Sequence, residues 1–144
     1  MAKLTLTDAQ TIIDGAIAKA GELDMMPLTI AVLDDGAHLR AFARQDGPGA
    51  ALRPHIAIGK AWGSVGMGMP SRRLEGLAVD RPHFIAGAIA ASDGRMVPVA
   101  GGVLIRDGSG EIIGAVGISG DSSDNDEAAA IAGIEAAGLT ADAK

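Results

Sequence analysis

Cysteine and tyrosine are absent from the 144 residues, tryptophan occurs once and phenylalanine twice. Without a thiol, disulfides, cysteine nucleophiles and thiolate metal sites are excluded. Positive charge is also scarce: 12 Lys and Arg against 18 Asp and Glu leave a net charge of −6. No basic stripe exists to neutralise phosphates, so nucleic acid and anionic membrane surfaces are not expected partners. No apolar run approaches the about 20 residues a membrane span requires. The N-terminal MAKLTLTDAQ lacks the apolar core of a secretion signal, and a cytoplasmic protein is the expectation. The phosphate-binding patterns GxGxxG and GxxxxGK[ST] are missing, as is the zinc motif HExxH. What the chain does have is glycine, 21 residues of it, and abundant alanine. Small side chains bury little apolar area each, so a homo-oligomer is expected to supply the remainder.

Apolar segments run continuously enough for residues 1–144 to form one domain. Thr5 or Thr7, with Asp8 or Gln10 three residues on, reads as a capping box. Ala9, Ile12, Ile13, Ala16, Ile17 and Ala20 follow at helical spacing, and Gly21 ends the helix. Leu28–Leu33 and Ala37–Ala43, joined at Asp34–Gly36, read as a hairpin. A Gly/Pro loop over 45–50 leads into a helix from Ala51. A short helix, Arg72–Asp80, with Ser71 as its cap, comes next, and Phe84–Ala91 fits helix or strand equally. Val99–Ile105 and Ile112–Ile118 flank the turn Asp107–Gly110 as a second hairpin, followed by a polar bend and a helix over about Asn125–Ala137. Two hairpins around a helical insertion favour an antiparallel sheet covered by helices.

Several segments together resemble the GlcG/HbpS-like family, which also includes the C-terminal domain of PduO-type proteins. They are TIAVLDDGAH over 29–38, Ile58–Ala61, Gly101–Val103, and IGAVGISG over 113–120 with Asp126 and Glu127 after it. The resemblance runs from about Leu4 to Gly138. It implies an α/β, profilin-like sandwich with a central five-stranded antiparallel sheet, oligomeric assembly, and a link to heme.

Two functions follow as expectations. In the first, an apolar cavity binds heme or a related tetrapyrrole. His38 or His55 would be the axial ligand, Lys60 and Arg44 would neutralise the propionates, and Trp62 would line the ring. In the second, a cofactor-independent isomerase, hydratase or lyase acts on a carboxylated metabolite, using Lys60, Glu127 and His55 as acid–base groups and Arg44 as the anion clamp. His38 also reads as a strand histidine, and His83 as a boundary residue. Arg53, Arg72 and Arg73 are further anion contacts or solvated charges. Lys60, set among apolar neighbours, either faces a ligand or snorkels to solvent. Asp126 and Glu127 stand where carboxylates cap a helix, or where they pair with Lys60 or an arginine. Trp62, Met67 and Met69 line a pocket or fill the core. Finally, the alanine-rich last helix and the Gly59/Gly63 pair on the central helix are candidate oligomer contacts.

Overall fold

Ten elements are formed over residues 3–144, the part of the chain described by the computed structural model. They are α1 (Leu6–Glu22), β1 (Thr29–Asp34), β2 (Leu39–Arg44), α2 (Arg53–Met67), α3 (Ser71–Asp80), α4 (Pro82–Ala91), β3 (Gly102–Arg106), β4 (Ile112–Ser119), α5 (Ser123–Ala136) and β5 (Thr140–Asp142). The strands make one five-stranded sheet in the order β2-β1-β4-β3-β5, with every pairing antiparallel. Period-two alternation divides the central strands between two layers. Ile30, Val32, Val103, Ile105, Val116 and Ile118 face α1 and α5, whereas Leu33, Leu104 and Ala115 face α2. With helices on both sides, β1 and β4 are almost wholly buried, hence their near-continuous apolar sequences. The fold is the expected α/β sandwich around an antiparallel sheet.

Local chemistry explains most boundaries. Thr5 and Asp8 form the reciprocal capping box of α1, each side chain accepting from the other residue's backbone N–H. Ser122 caps α5 through the Asn125 N–H, so the helix begins at Ser123, two residues before the expected start. Phe84–Ala91 resolves as helix α4, with Pro82 at its first turn supplying a fixed φ and no wasted donor. Ser71 does not cap α3: Pro70 precedes that helix, and the Ser71 hydroxyl is drawn to Gly102, accepting from its N–H at 2.7 Å.

The small residues have work within the chain. A Cβ on Gly133 would strike the Ile12 carbonyl in α1, so α5 uses that face against its own neighbour. A Cβ on Gly59 would meet Val97 and one on Gly63 would meet Met96. The glycine pair on α2 therefore receives the 95–97 segment of the same chain, and is not a free surface for another copy.

Candidate functional site

The helix α2 organises everything polar on its side of the sheet. It lies close to the strands because Gly117 and Gly102 present bare backbone to it; side chains there would meet the Ala57 and Lys60 carbonyls. Ala57, Lys60, Ala61 and Ser64 point inward, while His55, Ile58 and Trp62 point the other way, toward an open cleft. That division decides which candidates share a site.

Lys60 is on the buried side, with its side chain 3% exposed. Its ammonium donates to the Ile118 carbonyl at 2.8 Å and to Asp126 Oδ2 at 3.2 Å. The other Asp126 oxygen accepts the Asp121 N–H at 2.9 Å. One ion pair thus ties α2, the end of β4 and the start of α5 together. Burial pushes the Lys60 pKa down against the pull of Asp126, and burial pushes the Asp126 pKa up against the pull of Lys60. Gly101, at φ +123°, lies where a side chain would collide with the Lys60 ammonium, which accounts for the Gly101–Gly102 pair.

Glu127 faces elsewhere. It accepts from Arg72 Nε at 2.8 Å, joining α5 to α3. His38 is exposed on the first hairpin, its Nδ1 3.3 Å from Asp34. Burial would raise the Asp34 pKa, but the Gly36 and His38 backbone N–H groups outweigh it and hold the carboxyl below its usual range. Arg44 lines a separate small cavity with Arg53. His83 and Arg73 are exposed. Lys60, Glu127, His55 and Arg44 therefore occupy four different surroundings.

The cleft brings His55 and Trp62 together. Its volume is about 590 Å³, and Leu52, Ile56, Ile58 and Val97 give it apolar walls. Arg95 completes it: the guanidinium lies 5.6 Å from the centre of the Trp62 ring, a cation–π contact. Arg95 is absent from the candidates read from the sequence, and its only local signal is the Asp93–Gly94 turn before it. Trp62 also borders a neighbouring apolar cavity of about 230 Å³ with Met67, Ala88 and Met96.

A family profile described as Haem degrading protein HbpS-like matches residues 4–135. The chain belongs to this HbpS-like family. Three solved structures share its fold. A complex of PduOC with heme has 24% sequence identity and a TM-score of 0.84, with 96% of this chain and 97% of that one aligned. The Klebsiella pneumoniae protein ORFY has 22% identity and a TM-score of 0.83, over 96% of this chain and 92% of its own. A double mutant of Streptomyces reticuli HbpS has 24% identity and a TM-score of 0.78, over 94% of this chain and 87% of its own. No curated protein matches the sequence. Among the described residues of this HbpS-like chain, no helix is long and apolar enough to cross a membrane, and no three His, Asp or Glu residues cluster as a metal site.

Proposed function

We propose that the HbpS-like chain binds heme or a related tetrapyrrole in the cleft between α2 and the 94–97 segment. One observation carries the reading: an imidazole, an indole and a guanidinium converge on a single apolar cleft of about 590 Å³. That volume is within the roughly 300–1,000 Å³ typical of small-molecule pockets. The donor set fits the group. His55 supplies a nitrogen ligand for iron, Leu52, Ile58, Val97 and Trp62 offer apolar surface to the ring, and Arg95 is the cation for a propionate. Bound heme would supply a redox-active, Lewis-acidic iron. Lys60 has its ammonium committed to Asp126 and Ile118, so Arg95 takes the charge-neutralising part. The heme in the PduOC complex and the haem-degrading description of the family support the same class of ligand.

Hemin titration followed by absorption tests this. A Soret shift is expected to saturate at one heme per cleft, and His55→Ala is expected to raise the Kd about tenfold or more. His38→Ala is expected to leave the titration unchanged. An unsaturable signal, or one indifferent to His55, overturns the reading.

Assembly into a closed homo-oligomer belongs to the same proposal. Its support is apolar side chains that the described residues leave uncovered. Helix α4 packs mainly on α3 and buries only Ile85 fully, leaving Phe84 36% exposed, and Val79 on α3 is 79% exposed. Sedimentation equilibrium over a wide concentration range is expected to give a multiple of the single-chain mass. A constant single-chain mass at high concentration contradicts it.

A further inference from the structure

The backbone around Arg95 is fixed, while its side chain is held only at the tip. The Val97 N–H donates to the Gly59 carbonyl at 3.1 Å. A Cβ on Gly59 would meet the Arg95 carbonyl and Val97, so the 95–97 segment lies directly against α2. Between these two residues the Met96 N–H donates to the Ser92 hydroxyl at 3.1 Å, and the Met96 side chain is buried against Gly63. Arg95 itself is exposed. Its guanidinium lies over the Trp62 ring, 5.6 Å from the ring centre, and both residues line the cleft.

That contact stands where an ion pair could. Arg95 is the only arginine or lysine on the cleft, and no carboxylate lines it. Among the described residues Arg95 belongs to none of the ion pairs. A cation–π contact at an exposed site is weaker than a charge-assisted hydrogen bond to a carboxylate. A carboxylate entering the cleft therefore draws the guanidinium off the ring, whereas a neutral ligand offers it nothing in exchange. The net charge of −6 disfavours anions at long range, so any preference for a carboxylate rests on this one local cation.

We propose that Arg95 is a latch on the cleft: its guanidinium covers indole surface that a flat ring would use, carboxylate-bearing tetrapyrroles release it, and uncharged ones have to displace it without compensation. This role rests on the heme reading of the cleft and adds a ligand class to it, tetrapyrroles with free propionates. It gives Arg95 two opposite effects, favouring the anionic ligand and opposing the neutral one. A cation that only neutralised a propionate would have the first effect and not the second.

Absorption titrations of the whole protein with hemin and with hemin dimethyl ester, whose propionates carry no charge, test this. The parent is expected to bind hemin about tenfold or more tighter than the ester. Arg95→Gln is expected to weaken hemin and to tighten the ester, bringing the two Kd values within about threefold of each other. Arg95→Lys, which keeps the charge without the planar fork, is expected to retain part of the preference. His55→Ala is expected to weaken both ligands alike, because both carry iron. Arg95 is exposed, so its variants retain the fold, which circular dichroism verifies. Equal affinities of the parent for hemin and ester overturn the latch, and so does an ester affinity that Arg95→Gln leaves unchanged or lowers. Hemin that fails to saturate the parent overturns the heme reading and the latch together. Saturable binding that depends on His55 but ignores the ester groups overturns the latch alone.

Discussion

Replacing Lys60 with methionine is expected to destabilise the fold by about 3–5 kcal/mol at neutral pH, because it leaves the Asp126 carboxylate buried without a counter-charge. The ion pair itself is not a large source of stability, since both charges lost their water on burial. Its directionality is what the fold uses, and the cost appears when one partner goes. The sign of the pH dependence follows from the raised Asp126 pKa. A carboxyl with a folded-state pKa above its unfolded value contributes most while protonated, below the unfolded pKa, and the contribution falls as pH rises through the folded value. In Lys60→Met the upward push of burial on Asp126 is unopposed, so the variant's deficit is expected to be full at neutral pH and to shrink on acidification. Urea unfolding of parent and variant at about pH 5 and about pH 8 checks this. The paired substitution Lys60→Met with Asp126→Leu is expected to recover most of the loss. A deficit that is the same at both pH values, or one the second substitution deepens, would show that the two groups do not act as a pair.

A comparable loss is expected from a single methyl group. Gly117→Ala places its Cβ against the Ala57 carbonyl and within 2.8 Å of the Ala61 nitrogen, both backbone atoms of α2. Rotamer changes cannot relieve such a contact, so the helix must move away from the sheet, at about 3 kcal/mol or more. His55, Trp62 and Lys60 travel with that helix, and hemin affinity is expected to fall with stability although Gly117 does not line the cleft. The comparison is Gly108→Ala in the β3–β4 turn, where a Cβ meets nothing within 4 Å. That variant is expected to unfold within about 0.5 kcal/mol of the parent, as surface substitutions usually do. Equal unfolding midpoints for the two variants would contradict the close-approach argument.

These two sites show where the sequence was legible. The α1 stripe, its Thr5–Asp8 box and both hairpins could be read because period and turn chemistry act locally. The family resemblance added the fifth strand, a three-residue segment too short to carry a pattern of its own. Helix α4 was ambiguous for a physical reason: an apolar run with no polar face has no period to read. The odd environment of Lys60 was visible from its neighbours, and an ion pair with Asp126 was one of the alternatives. Choosing it required the pairing of β1 with β4, which brings the end of β4 and the start of α5 beneath α2. Arg95 could not be anticipated, because it reaches Trp62 from an irregular segment whose course is set by tertiary contacts. Arg44 and Arg53 were candidate anion contacts, Arg44 for the same site as His55 and Lys60; the fold instead puts both on a small cavity apart from the cleft, because Arg44 is on the edge strand and Arg53 opens α2.

The placement of Trp62 has an optical consequence. Since the chain contains no tyrosine and no second tryptophan, its near-ultraviolet absorption and its emission originate almost entirely from one indole. That indole forms the wall between two cavities and lies beneath the Arg95 guanidinium. The protein's intrinsic fluorescence is therefore a local signal from the cleft, sensitive to what enters it and to the departure of the arginine, with no background from the rest of the fold to subtract.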